Sequence, residues 1–372
     1  MKKPYKVAFV SAGMITNAAH IPAYKHLPDA FTLSAICDLR HEAAQETAAR
    51  HGIPGVYTDY EKMLREVEPD IVSVCTPNLY HPEQTIVALN HGAHVVCEKP
   101  LALKYADAKR IFAAAKAAGR QVFPCQSLRY TNEFFNGKAI CDTGVLGDIY
   151  YGDIACVRRR GVPTWGMFHM MERSGGGAFC DIGVHMMDSL VWLSGNKRLS
   201  SISGTTTTRI ANRKDQLITS LKDSGAPQGV FTPRPYDYRE FNVEEFAAGS
   251  MRFQGGMSVN FKIAWALNHP DTFEFRLIGD EGGLSIPDMK VYGHLGAYQA
   301  DIAARVFDDS LYAGVDFYGH WHLIERMLQT LEGEAPPLVT EAEALNVVAI
   351  LDGFYRSAKA GREMTMAEIE RE

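Results

Sequence analysis

Short apolar runs and longer amphipathic stretches alternate along the first third of the chain. Lys6-Val7-Ala8-Phe9-Val10 has the pattern of a buried strand, and a helix is expected over about 17–26. Leu33-Ser34-Ala35-Ile36-Cys37 repeats the strand pattern. Helices follow at about 41–51 and 59–66, the first stopped by Gly52 and Pro54. Asp70-Ile71-Val72-Ser73-Val74-Cys75, His94-Val95-Val96-Cys97 and 121–125 read as further strands. Helices at about 81–90 and 104–118, ended by Gly92 and Gly119, separate them. This rhythm predicts a doubly wound parallel sheet of α/β type over 1–126.

Beyond Tyr130 the rhythm changes. A helix is expected at about 132–142 and a strand at 149–157. A glycine loop, Ser174-Gly175-Gly176-Gly177, precedes a helix over about 181–193. Strands then dominate, at about 199–208, 243–253, 257–266 and 273–279, with no crossover helices between them. That succession predicts a second domain over 127–372, of α+β type with a mainly antiparallel sheet. The segment 209–241, with three prolines, reads as an inserted loop, and helices at about 316–332 and 340–360 close the chain.

Composition narrows the function. The 372 residues exceed one ordinary core, which fits two domains. A net charge of −6, with no basic block beyond Arg158-Arg159-Arg160, argues against a nucleic-acid partner. No apolar run reaches the length of a membrane span, and the amino end leads into a strand without a signal-peptide core. Seven cysteines without a C-x-x-C pair do not form a disulfide framework or zinc site. Cys37, Cys75, Cys97 and Cys125 fall near strand ends and read as small buried fillers, which predicts a cytoplasmic location.

Candidate chemistry gathers at the predicted strand ends. Ser11-Ala12-Gly13-Met14-Ile15-Thr16 occupies the strand–helix turn where a dinucleotide fingerprint would read G-x-G-x-x-G. Here Ser11 and Thr16 replace the outer glycines, and Gly13 is the one that lets a backbone approach a pyrophosphate. Asp38 ends the second strand 25 residues after Gly13, near the spacing of a ribose-binding acid. A carboxylate there would repel a 2′-phosphate and favour NAD over NADP, although Arg40 beside it is the type of residue that accommodates that phosphate. The plainer account of Asp38 is a cap on the helix near His41. Thr76-Pro77-Asn78 and His81 follow the strand at 70–75. Glu98-Lys99-Pro100 follows the strand at 94–97, where a stiff backbone holds the lysine at the mouth of the sheet. Asp181 and His185 are four apart and share a helix face, as an ordinary surface pair or as a functional one. No further ligand at a usual spacing supports a metal.

These residues resemble the glucose–fructose oxidoreductase, inositol dehydrogenase and rhizopine-catabolism family (Gfo/Idh/MocA) of NAD(P)-dependent enzymes over nearly the whole chain. The resemblance rests on Gly13 in its turn, Thr76-Pro77 with His81, Glu98-Lys99-Pro100, and the D-x-x-x-H of Asp181 and His185. It implies a Rossmann domain followed by a domain with a large open sheet, through which members commonly form dimers or tetramers. It implies a catalytic group of Lys99, Asp181 and His185, and often a cis bond before the proline. The cofactor set it suggests is Ser11, Gly13, Met14, Ile15, Asp38, Arg40, Thr76, Pro77, Asn78, His81, Glu98, Lys99, Pro100 and Gln126. Sugars, glycosides and cyclitols are the implied substrates. Arg129, Tyr130, Arg159, Trp165, His169 and Tyr236 join Lys99, Asp181 and His185 as candidate pocket residues, arginines and histidines for hydroxyls and aromatic faces for ring C–H groups.

The expected reaction is oxidation of a secondary alcohol. An imidazole takes the hydroxyl proton while a nearby ammonium favours the alkoxide. Two other classes stand beside it. One is an NAD-retaining enzyme that cleaves glycosides by transient oxidation. The other is a catalytically silent NAD-binding sensor.

Overall fold

The computed structural model describes residues 3–213, 236–304 and 315–371. They fall into two compact units, one of 3–130 with 315–341, the other of 131–213, 236–304 and 342–371.

The first unit is built on six strands: β1 (Tyr5–Val10), β2 (Phe31–Cys37), β3 (Gly55–Tyr57), β4 (Ile71–Val74), β5 (His94–Cys97) and β6 (Val122–Pro124). They lie in the order β3-β2-β1-β4-β5-β6, every neighbouring pair parallel. The order reverses between β1 and β4, and the carboxyl ends of strands beside such a switch point form a ligand crevice. Val7, Ala8, Phe9, Ile71, Val72 and Val74 are all buried, as a sheet covered on both faces requires. The three-residue β3, too short for a period to register, was not anticipated from the sequence.

The helix after β1 starts as a widened π-turn, Thr16–His20, and continues as an α-helix, Ile21–Lys25. Side chains occupy the carbonyls of the tight turn before it. Thr16 Oγ1 donates to the Ser11 carbonyl at 2.8 Å, and Asn17 Nδ2 donates to the carbonyls of Ala12 and Gly13. The late helix Tyr318–Leu331 belongs to this unit. Its Leu323, Ile324 and Met327 enter the same buried cluster as Val7, Phe9, Ile21 and Tyr24. At roughly 1.5–3 kcal/mol per fully buried side chain, these three anchor the helix.

The second unit carries nine strands: β7 (Ile149–Val157), β8 (Leu199–Thr207), β9 (Phe246–Phe253), β10 (Ser258–Ala264), β11 (Thr272–Gly279), β12 (Gly283–Ile286), β13 (Lys290–Leu295), β14 (Tyr298–Ala303) and β15 (Met364–Thr365). Their order is β14-β13-β12-β11-β7-β10-β9-β8-β15. Only β7 and β10 pair in parallel; the other pairings are antiparallel. The twenty-residue helix Glu341–Ala360 packs on this sheet, with Phe354 directly over Gly204 of β8, where a Cβ would lie 2.4 Å from its ring. The strands expected at 149–157, 199–208, 243–253, 257–266 and 273–279 are present. The strands β12 to β14 were not anticipated, because β13 and β14 are largely exposed and carry no clean alternation. The expected inserted loop lies mostly outside the described residues.

Candidate active site

In the first unit the strand ends bring several expected cofactor residues together. Ser11 has φ +94°, in the left-handed region where its glycine counterpart would sit without strain. Asp38 Oδ2 accepts the Ala12 amide at 2.9 Å, and Oδ1 accepts the Arg40 amide at 2.9 Å and Arg40 Nε at 3.2 Å. The carboxylate at the end of β2 is therefore tied to the turn after β1. It does not cap the helix His41–His51, whose N-cap is Arg40 without a side-chain bond. Gly13, Met14 and Ile15 remain partly exposed on the turn.

Around β4 and β5, backbone carbonyls hold the loops. His81 is fully buried, with Nδ1 2.7 Å from the Pro100 carbonyl and Nε2 2.7 Å from the Thr76 carbonyl. Burial lowers its pKa, while the two carbonyls and Glu98 act in the opposite sense. His81 thus links the loop after β4 to the loop after β5. Thr76 Oγ1 donates to Gln84 at 2.6 Å, and Pro77 precedes a short 3₁₀ turn at Asn78–Tyr80. The Lys99–Pro100 bond is cis. Glu98 is buried: Oε1 lies 2.8 Å from His20 Nε2 and 3.1 Å from His320 Nε2, while Oε2 accepts the Lys99 amide at 3.1 Å. Gln126 is buried as well, and its Oε1 has no partner among the described residues. Arg129 is buried and donates to the Leu338 carbonyl at 2.9 Å, and Tyr130 stacks on His322.

These features fit a dinucleotide. There is a carboxylate at the end of β2, a glycine in the turn after β1, and a buried amide oxygen on Gln126 without a partner among the described residues.

In the second unit the helix over 181–193 begins with a π-turn, Phe179–Gly183, and continues as α-helix Val184–Leu193. Single π-turns of this kind recur at functional sites. From 176 to 194 every position is buried except Asp181 and His185. A helix that is apolar nearly all round belongs to a core. Two polar side chains reaching the surface from it do not form an ordinary solvated face. Asp181 Oδ2 accepts the Trp265 indole Nε1–H at 3.1 Å.

The start of this helix is held by Glu244, which lies just before β9. Its carboxylate accepts the amides of Gly177 at 2.9 Å and Phe179 at 3.0 Å and the Tyr355 hydroxyl at 2.9 Å. Burial pushes its pKa up, and the amide hydrogen bonds counter that rise. Glu244, Tyr355 and Trp265 escaped sequence reasoning, as did His20 and His320. Each acts across a long separation, with no local spacing to reveal it.

Among the remaining candidates, His169 and Tyr236 come together, ring centroids 4.9 Å apart. His169 is fully buried, and the Tyr236 hydroxyl donates to the Ala211 carbonyl. Trp165 meets Phe168 edge-on, and Arg159 is exposed with its amide on Asp271.

Fold and residues together define an oxidoreductase with a dinucleotide-binding unit and a separate sheet-based unit. The chain belongs to the Gfo/Idh/MocA family. Residues 5–125 match the family's oxidoreductase model with an NAD-binding Rossmann fold, and 136–285 match its C-terminal domain model. D-Glucoside 3-dehydrogenase of Escherichia coli (strain K12) is 28% identical over 367 residues, 98% of each chain. Among solved structures, an oxidoreductase domain protein from Kribbella flavida superposes with a TM-score of 0.81 at 20% identity, covering 98% of this chain and 100% of that one. The WlbA dehydrogenase from Bordetella pertussis, solved with NADH and UDP-GlcNAcA, superposes at 0.74 with 24% identity, covering 97% and 98%. The protein is an NAD(P)-dependent oxidoreductase of this sugar-oxidoreductase family. No helix among the described residues is long and apolar enough to cross a membrane.

Proposed function

We propose that the chain is an NAD-dependent dehydrogenase that oxidises a secondary hydroxyl of a sugar, glycoside or cyclitol. The observation that carries this reading is the pair Asp181 and His185, the only positions not buried between 176 and 194. The full-length similarity to a glucoside dehydrogenase supports the substrate class. Bound NAD supplies the hydride acceptor. His185 takes the hydroxyl proton as general base, and the Lys99 ammonium stabilises the alkoxide as it forms. Asp181, held by Trp265, orients the reacting hydroxyl. His81 and Glu98 act through the backbone of Thr76, Lys99 and Pro100. In this reading 1–126 bind the cofactor and 127–372 the substrate, with Tyr130, Arg159, Trp165 and Tyr236 as the further pocket candidates that are not buried. The seven free cysteines fit a reducing, cytoplasmic location.

An absorbance screen for NADH over cyclitols, aldoses and glucosides, with NAD and NADP in parallel, tests the proposal. Turnover of at least one polyol class is expected. Product cleavage without net NADH would move the reading to transient oxidation, and silence across the panel would favour a sensor.

Cofactor choice is a separate expectation. If Asp38 is the ribose-binding acid, its carboxylate would meet a 2′-phosphate with like charge; it engages Arg40. NAD should therefore exceed NADP in kcat/KM by about tenfold or more, since one like-charge contact costs on the order of 1–2 kcal/mol at short range. Asp38→Ser should narrow the gap. A wild-type preference for NADP would show that Arg40 governs the pocket.

Assembly follows from exposed apolar side chains on one face of β13 and β14: Leu295, Tyr298 and Ile302. Such a patch usually marks an interface. Sedimentation at micromolar concentration should give a homodimer or homotetramer, and Tyr298→Lys with Leu295→Lys should shift it toward monomer. A monomeric wild type would contradict this.

A further inference from the structure

Four side chains meet in the interior of the first unit. His20 ends the π-turn after β1, Glu98 follows β5, Cys125 follows β6, and His320 sits in the first turn of Tyr318–Leu331. All four are buried, and one donor atom from each lies within 4.8 Å of the others. Both imidazole Nε2 atoms converge on the same carboxylate oxygen, Glu98 Oε1, at 2.8 and 3.1 Å. A carboxylate only accepts, so each ring must present its proton on Nε2. Neither Nδ1 has a partner among the described residues. Both rings therefore donate Nε2–H to the one carboxylate oxygen.

Such a set of nitrogen, oxygen and sulfur donors also suits a divalent transition metal. Two features argue against one. The nitrogens already lie at hydrogen-bond distance from the oxygen, and metal-bound histidines ordinarily donate their other ring nitrogen to a partner, which is missing here. The other carboxylate oxygen is engaged elsewhere, since Oε2 accepts the Lys99 amide.

We propose that His20 and His320 are positioning residues for Lys99, two donors that lock Glu98 so that its second oxygen fixes the backbone from which the lysine projects. This rests on the reading of Lys99 as a catalytic lysine. Burial lowers the His20 pKa, consistent with a neutral ring. For Glu98, burial opposes the charge, but the hydrogen bonds from the two histidines outweigh it and hold the pKa well below its ordinary value.

The test uses the full chain with NAD and a methyl glucoside. His20→Leu and His320→Leu each remove one donor to a buried carboxylate and should lower kcat by about ten- to a hundredfold. KM for NAD should change by less than about threefold, because the adenosine end lies elsewhere in the crevice. His20→Gln and His320→Gln return an amide donor near the same place and should recover kcat to within about threefold of wild type. Wild-type turnover in both leucine variants, or no recovery with glutamine, would overturn the proposal. Nitrogen-15 NMR of labelled histidines in the wild-type protein gives a reading independent of folding in the variants. Both rings should carry a proton on Nε2. An Nδ1–H tautomer with bare Nε2, or one equivalent of transition metal in the purified protein, would each reject the clamp. If wild type oxidises no sugar, the dehydrogenase reading fails, while the ring tautomers still decide whether the clamp exists.

Discussion

Replacing His185 by asparagine should lower kcat by about 10²–10⁴, the usual scale for loss of a general base, and leave NAD binding intact. His185 belongs to the second unit, whereas the turn after β1 belongs to the first. The expectation depends on the exposure pattern of its helix. His185 sits one turn beyond Asp181 in a segment otherwise buried, so these two side chains keep exposed surface that the rest of the segment lacks. Lys99→Met should also spare the adenosine end while removing the charge that favours the alkoxide. The two losses should not add, since both act on one proton-transfer event. Lys99→Arg should not restore activity, because a planar guanidinium cannot replace a compact ammonium at a single oxygen. The wild-type rate of alcohol oxidation should rise with pH through an ionisation between about 6 and 9, and the asparagine variant should lose that rise. Near-normal turnover of His185→Asn at saturating NAD, with the pH profile unchanged, would remove the histidine from the mechanism.

Gly177→Ala should be the most disruptive single-methyl change near the site. A Cβ on Gly177 would lie 1.9 Å from the Glu244 carbonyl oxygen and 2.9 to 3.0 Å from two further backbone atoms of Glu244. None of these is the end of a flexible side chain, so the strand or the helix start must move. Two bonds would be lost with that movement: the Gly177 amide to Glu244 Oε2, and the Ala178 amide to the Glu244 carbonyl. Overpacking with broken buried hydrogen bonds costs on the order of 3–5 kcal/mol. The thermal midpoint should fall by roughly 10 °C, and activity should fall further, because the Asp181 amide is bonded to the Gly177 carbonyl. Gly195→Ala is the control. Gly195 has φ +77° and open space around its Cβ position, so only backbone strain of about 1 kcal/mol is added. Equal effects at the two glycines would show that the close approach to Glu244 is not what holds the helix start.

Several elements were legible from short stretches of sequence because their signals are local. Buried parallel strands show as unbroken apolar runs: β4 and β5 lie within the runs expected of them, and β1 and β2 match theirs but begin one and two residues earlier. Strands β8 to β11 were legible from their succession without crossover helices. Asp38 was legible because the first strand–turn–helix–strand unit has a nearly constant length. Local pattern was less informative where geometry departs from the standard period. The helices after β1 and after the glycine loop both open with π-turns, and the regular helix expected at 17–26 instead starts in a wider turn whose carbonyls are served by Thr16 and Asn17.

By itself the sequence determined the fold class, the family and the polar residues at the strand ends, since each is written in spacing over a few to a few tens of residues. Only the tertiary structure decided what those residues touch. His320 reaches Glu98 across 222 positions because three apolar side chains of its helix enter the core of the first unit. Glu244 meets the glycine loop from 67 residues downstream because β9 delivers it there. Periodicity specifies which face of an element is buried, but the partner that covers it is chosen by the packing of the whole chain.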